Sequence, residues 1–411
     1  MHFIYNCSVY IAGFFLRVLG LFIPKLKLFV NGRKDVLNIL KNELSKETPV
    51  IWIHTASLGE FEQGLPVIEA LKKHYTDYQI LVTFFSPSGY EVKKNSSAAH
   101  LITYLPLDTK HNAAAFVATV NPVLSIFVKY EIWPNYLKEL EKRKIPTLLV
   151  SAIFSKRQIF FKGYGNFMRK SLSAFSHFFV QDQNSKDLLA SIGLKNSTIS
   201  GDTRFDRVLK ILEQDNTLDF MEKFKQDQQC FIAGSSWPED EAIIVDYINT
   251  TNANLKFVFA PHTIKKEAIQ KLAHAIQKKT ILYSELASNN PSDYEVLIID
   301  TIGILTKVYS YADIAYVGGG FATGLHNTLE PAVFGIPVLI GPKYSGFKEA
   351  EDLVALKGVI AISDQKSFTL ALDQLVSSQK HYKETGEINT RYIAKRKGAT
   401  GSIMDYIKTL H

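Results

Sequence analysis

Ten short apolar runs, in two series of five, restrict this chain to very few architectures. The first series is "VIWIH", "ILVTFF", "HLITYLP", "LSIFV" and "TLLVSA". The second is "CFIAG", "KFVFAP", "EVLIID", "IAYVGG" and "PVLIG", and a charged stretch, "LEQDNTLDFMEKFKQDQQ" at 212–229, parts the two. Amphipathic or polar segments separate the runs. Strands that are apolar on both faces and alternate with helices read as parallel sheets covered on both sides. The pattern predicts two Rossmann-like α/β domains, and 411 residues are too many for one ordinary core. The expected divisions are a segment over 1–30, a domain over 31–210 and a second over 211–411, whose last helix is free to pack back onto the first. Ligands of open α/β sheets bind beyond the carboxyl ends of the strands, so residues just after the runs are the candidates for chemistry.

The first thirty residues stand apart. "FIYNCSVYIAGFFLRVLGLFIPKLKLFV" is apolar and aromatic, interrupted by Arg17 and Pro24, and lacks the basic start and cleavage site of a secretory signal. A bilayer span would carry Arg17 near its middle, at about 2.5–3.5 kcal/mol on insertion scales. No acidic residue precedes Asp35, whereas Arg17, Lys25, Lys27, Arg33 and Lys34 do. That pattern suits an anionic cytoplasmic leaflet, so membrane attachment is expected ahead of a buried first helix. Whether the segment spans the bilayer or lies in it is left open. The net charge of +7 favours anionic partners, but charges of both signs mix elsewhere and no RNA-binding or helix-turn-helix signature occurs. Nucleic acid is therefore not an expected partner. Cys7 and Cys230 have no neighbours at metal-ligand spacing, and a reducing compartment is the simpler setting.

Five motifs follow strands. In "HTASLGEFEQG", 54–64, Ser57 and Glu60 have capping-box spacing ahead of a helix with Phe61, Leu65, Ile68 and Leu71 on one face. From this motif alone a helix cap is the commoner role for Glu60. A carboxylate folded back onto the Ser57 amide is expected to be a poor proton acceptor, so cap and base compete. "FVKYEIWPNYL", 127–137, sets Lys129 and Glu131 after a strand, as a site or as a surface pair, with Trp133 as core and Pro134 opening a helix. "SGDTRFDRV", 200–208, places Arg204 between Asp202 and Asp206, as a charged turn or an anion ligand. In "FIAGSSWPEDEAII", Ser236 and Glu239 have capping spacing, and the Walker spacing is absent. "YVGGGFATGLHNTLEPAVFGIPVLIGP", 316–342, offers tandem glycines for close backbone approach. There Asn327 or Thr328 can cap a helix facing a phosphate, and Glu330 can accept from ribose hydroxyls.

The ordered set Gly318–Gly320, Asn327, Glu330, Gly335 and Pro337 is similar to the nucleotide-sugar half of GT-B glycosyltransferases, two Rossmann-like domains facing each other across a deep cleft. With "HTASLGE", "KYEIWPN" and "GDTRFD", it resembles the 3-deoxy-D-manno-octulosonic acid (Kdo) transferases of Gram-negative bacteria, over nearly the whole chain. The resemblance implies transfer of Kdo from CMP-Kdo to a lipid A precursor (lipid IVA) by an inverting enzyme at the cytoplasmic face of the inner membrane. It implies no metal and no cofactor, and residues at ligand spacing for a metal are not evident. By the same resemblance Glu60 falls on the catalytic base, which reverses the cap reading, although Ser57 can still cap the helix. Glu131 and Arg204 fall on transition-state supports. Pro261 and His262, then Gly303, Ile304 and Leu305, then Asn327, Thr328, Leu329 and Glu330 fall on CMP-binding positions. Three departures stand out: His262 where many relatives carry arginine, Arg204 where lysine is usual, and Gly320 and Leu325 where serine and glycine are common. The competing readings are another GT-B enzyme acting on a UDP-sugar, as a transferase or 2-epimerase, and a non-catalytic protein binding anionic glycolipid. Incubation with CMP-Kdo or UDP-sugars separates the enzymes, and CMP release excludes the binding protein.

Overall fold

A computed structural model describes residues 2–322 and 324–410. The chain forms two compact units: Met1–Arg207 with Arg396–His411, and Val208–Lys395. In the first, strands β1 (Val50–Thr55), β2 (Gln79–Phe84), β3 (Leu101–Tyr104), β4 (Leu124–Val128), β5 (Thr147–Ala152), β6 (His177–Val180) and β7 (Ser197–Ile199) make a parallel sheet. Its order is β3-β2-β1-β4-β5-β6-β7. The order reverses at β1, which pairs with β4 from Ile51↔Leu124 to His54↔Phe127. A crevice at such a reversal opens beyond the strand ends, where the "ASLGE" and "KYEIW" segments emerge.

The second unit repeats the arrangement. Strands β8 (Gln229–Ser236), β9 (Leu255–Pro261), β10 (Thr280–Leu282), β11 (Val296–Ile298), β12 (Ile314–Val317), β13 (Val338–Ile340) and β14 (Val359–Ala361) are all parallel. They run in the order β10-β11-β9-β8-β12-β13-β14, with the reversal between β8 and β12. The "SSW" turn and the triple glycine leave the sheet there.

Both faces of each sheet are covered, as the unbroken apolar runs require. On one side of the first sheet Trp52 packs against the rings of Phe116, Phe127 and Tyr136. On the other, Phe61, Ile68 and Leu71 join Ile403, Met404 and Ile407 from the helix Ala399–Lys408. Burying each such side chain stabilises the fold by about 1.5–3 kcal/mol. The sequence pattern did not mark β6, β7, β10 and β14. Three of these are three-residue strands, too short for a period to develop.

Three helices precede β1: α1 (His2–Leu19), α2 (Pro24–Asn31) and α3 (Val36–Glu43). Helix α1 is long and apolar enough to cross a membrane. It is nonetheless fastened to the unit by polar contacts. The Tyr5 hydroxyl donates to Asp108 Oδ2 at 2.5 Å, and Asn135 Nδ2 donates to Asn6 Oδ1 at 3.0 Å. Gly13 lies so near Leu107 that a Cβ there would sit 3.0 Å from Cδ1. The opposite face is apolar and exposed, with Phe3, Tyr10 and Phe14 at 77%, 55% and 62%. Arg33 departs from its expected place among surface cations. Its guanidinium donates to the carbonyls of Leu105 and Phe29 at 2.9 and 2.7 Å and stacks 3.6 Å from the Phe29 ring centroid. Burial pulls it down to about 10. It is a rivet between α2 and the strand ends rather than a lipid contact.

Candidate active site

In the first unit the chemistry gathers at the β1–β4 reversal. After β1, Ser57 is extended and opens the helix α4 (Leu58–His74). Glu60 N–H donates to Ser57 Oγ at 3.4 Å, and Ser57 N–H donates to Glu60 Oε2 at 2.9 Å. The capping box is present. It does not exhaust the group, because a carboxylate has about four acceptor positions and the cap occupies one. Acceptor positions beyond the cap therefore remain on the group. Glu60 is 6% exposed. Burial and then the charge of Glu131 push its pKa up to about 7, against the opposing pull of the Ser57 amide, Lys129 and the Ala56 amide. A carboxyl near neutrality can exchange a proton at working pH.

Glu131 is not half of a surface pair with Lys129. Its Oε2 accepts from Trp133 Nε1 at 2.9 Å and lies 3.6 Å from His54 Nε2. Lys129 takes a left-handed conformation, φ 67°, directly after β4, a strained position for a side chain of its size. Trp133 is not simply core: it packs 4.6 Å from Phe85 while its N–H holds the carboxylate. Arg204 forms the charged turn, with Nε and Nη2 on Asp202 Oδ2 at 2.9 and 2.8 Å. Gln63, on the same helix as Glu60, donates to Asp202 Oδ1 at 2.9 Å, so the turn is tied to α4.

In the second unit Pro261 ends β9, and His262 stacks on the Trp237 indole, centroids 4.7 Å apart and 17° from parallel. His326 lies 4.6 Å beyond and accepts from Trp237 Nε1 at 3.1 Å. Burial and then His262 hold His326 below the usual histidine range. Gly303 has φ +93°, and Ile304 leads into the helix Leu305–Tyr309. Asn327 Oδ1 accepts from Leu329 N–H at 3.2 Å, and Asn327 Nδ2 donates to Glu330 Oε1 at 3.1 Å. Thr328, 1% exposed, makes no cap, and its Oγ1 has no partner among the described residues. The helices expected to face a phosphate are single turns, Leu305–Tyr309 and Leu329–Ala332. They offer N–H groups but little summed dipole.

The glycines fit without room to spare. A Cβ on Gly320 would lie 2.7 Å from Gly341 Cα, and one on Gly318 would overlap the Ser235 carbonyl. Thr323, in the same loop, lies outside the described residues. The helix after β8 is capped by other residues than Ser236 and Glu239. Trp237 occupies the cap position and donates from N–H to Asp240 Oδ2 at 2.9 Å. Asp240 also takes the Gly319 N–H at 2.9 Å and the Tyr316 hydroxyl at 2.7 Å. His54, Trp237, Asp240 and His326 are site residues that the sequence reading did not single out. The one linear signal was a polar residue closing the apolar run "VIWIH", which His54 is.

Residues 33–207 match the family described as 3-Deoxy-D-manno-octulosonic-acid transferase (kdotransferase). The chain is 29% identical over 377 residues to a 3-deoxy-D-manno-octulosonic acid transferase of Haemophilus influenzae, covering 87% of this chain and 86% of that one. It is 28% identical over 366 residues to the protein of the same description from Aquifex aeolicus, covering 86% and 95%. Among solved structures, UDP-GlcNAc 2-epimerase from Neisseria meningitidis bound to UDP-GlcNAc superposes with a TM-score of 0.64 at 16% identity, over 88% of this chain and 100% of that one. That likeness shows the GT-B fold alone.

Proposed function

Because the chain belongs to the Kdo transferase family of glycosyltransferases, we propose that it moves Kdo from CMP-Kdo onto a lipid A precursor with inversion at the anomeric carbon. The observation that carries the reading is Glu60, a buried carboxyl raised to about 7 beside Glu131 at the reversal of the first sheet. Glu60 takes the proton of an acceptor sugar hydroxyl as that oxygen bonds to the anomeric carbon. The bond from that carbon to the CMP phosphate oxygen breaks, and CMP leaves with the electron pair. Glu131 orders the site beside the base, and Arg204, steadied by Asp202, supplies positive charge as the leaving group develops its own. On the donor side Glu330 receives the ribose hydroxyls. Amides at Gly303–Leu305 and Asn327–Leu329 meet the phosphate, with Pro261 and His262 completing the nucleotide contacts.

The acceptor is a lipid, and the exposed aromatic face of α1 supports attachment to the cytoplasmic leaflet of the inner membrane. Near it a cavity of about 840 Å³ is lined by Arg17, Lys27, Lys34, Leu16, Leu21 and Leu107 among others. The Tyr5–Asp108 and Asn6–Asn135 contacts favour a helix lying along the protein in the interface over one crossing the bilayer. An impermeant thiol reagent applied to inside-out vesicles reaches a cysteine tag added before residue 1 if α1 lies in the interface. Protection of that tag, with Lys25→Cys labelled, establishes a span instead.

The direct test is full-length protein with CMP-Kdo and tetraacyl lipid A precursor in EDTA, followed by mass spectrometry of the lipid. The expected result is a gain of one or more Kdo masses with matching CMP release. Turnover of UDP-GlcNAc but not CMP-Kdo, or activity restored only by a divalent metal, overturns the reading.

A further inference from the structure

His54 is fully buried, and its two ring nitrogens have unequal surroundings. Nδ1 is 2.9 Å from Thr83 Oγ1, which already accepts from Trp52 Nε1 at 2.8 Å. Nε2 has no hydrogen-bond partner among the described residues but faces Glu131 Oε2 at 3.6 Å. The imidazole is fixed edge-on to Phe127 and Trp133, centroids 5.7 and 5.8 Å away. A bare nitrogen lone pair pointed at a carboxylate oxygen in a buried site would be repelled. The arrangement is favourable when the Thr83 hydroxyl donates to Nδ1 and the ring carries its proton on Nε2.

We propose that His54 is a positioning residue: its Nε2–H, fixed by the Thr83–Trp52 pair, points at Glu131 and holds that carboxylate oriented beside Glu60. This rests on the reading of Glu60 as base. Glu131 is the charged side chain paired with His54. Glu131 in turn faces Trp133 and acts on Glu60, whose other charged neighbour is Lys129. The rings around His54 exclude water, so this N–H is not replaceable by solvent. Losing it leaves Glu131 with Trp133 as its side-chain donor among the described residues. The charge of Glu131 then bears on Glu60 uncompensated, and the acid limb of the rate profile moves to higher pH.

Two conservative variants separate this role from packing. In His54→Gln the amide nitrogen takes the place of Nε2 and keeps a donor toward Glu131. In His54→Asn the shorter side chain reaches only the Nδ1 position, where its carbonyl oxygen accepts from the Thr83 hydroxyl and no donor reaches Glu131. The expected result is a kcat for His54→Asn lowered by about 10–100-fold, as for a lost electrostatic contact to a carboxylate in a buried site. KM for CMP-Kdo stays unchanged and the acid limb rises, while His54→Gln stays near the parent on both counts. Equal losses in the two variants with an unmoved pH profile overturn the proposal and leave His54 a packing residue. Histidine ¹⁵N spectra of the unmodified protein at neutral pH give a readout independent of turnover: a protonated Nε2 is expected, and a bare Nε2 overturns the proposal. Glu60→Gln is assayed separately. If it stays active the base assignment fails, while the ¹⁵N result still decides the His54 geometry.

Discussion

Glu60→Gln lowers Kdo transfer by about 10²–10⁴-fold while CMP-Kdo binding holds, the range expected when a positioned base is removed. Glutamine keeps a carbonyl oxygen for the Ser57 N–H, so the cap survives and the loss isolates proton transfer. Glu60→Ala removes both, and thermal stability falls as well, by about 1 kcal/mol for a lost capping contact. Retained turnover in Glu60→Gln returns the residue to a helix cap. The pH dependence has a defined sign. A base acts ionised, so the rate rises with pH through about 7, where burial and Glu131 have placed Glu60. Stability runs the other way. The folded group holds its proton more tightly than the ordinary 4.5 of the unfolded chain, so its contribution is complete below about pH 4.5 and lost as pH rises through about 7. Glu60→Gln flattens that part of the stability profile, which melting curves between pH 4 and 8 will show.

The second large effect is expected at Asp240. Its carboxylate is fully buried and receives the Trp237 and Gly319 amides and the Tyr316 hydroxyl. It thereby joins the turn after β8 to the triple glycine after β12. In Asp240→Ala three buried donors lose their acceptor, a disruption worth about 3–5 kcal/mol. That lowers the melting transition of the second unit by roughly 10 °C and weakens CMP-Kdo binding at least tenfold. Asp240→Asn is milder. Its carbonyl oxygen keeps the two amides, and its NH₂ donates to the Tyr316 oxygen, reversing that one bond. Equal loss in the two variants assigns the effect to negative charge, not to acceptor geometry.

What could be read from the chain follows from range. Strands β4 and β5 coincide residue for residue with their apolar runs, because a strand buried on both faces writes its burial into every position. Strand β7 is three residues with a threonine at its centre, and carries no such mark. Helix α4 was legible from Ser57, Glu60 and the apolar face, and the cap that those residues favour by themselves is present. The proposal of Glu60 as base rests on family resemblance, which no local pattern in the motif supplies. The tie between His54 and Glu131 has no linear signature, since it depends on β1 lying beside β4. Arg33 misled for a related reason: a basic residue in a basic stretch looks solvated until the carbonyls that surround it are known. Ser236 misled by one position, because Trp237 took the cap and Asp240, not Glu239, closed it.

The helix Ala399–Lys408 supplies Ile403, Met404 and Ile407 to the core built around Phe61 and Leu71. During synthesis that core therefore stays open until the ribosome has translated the whole of Val208–Lys395. The half of the molecule made first is the last to be sealed. Its apolar surface awaits those side chains while the later half is already able to fold, so a nascent chain stalled before Ala399 is a natural client for chaperones.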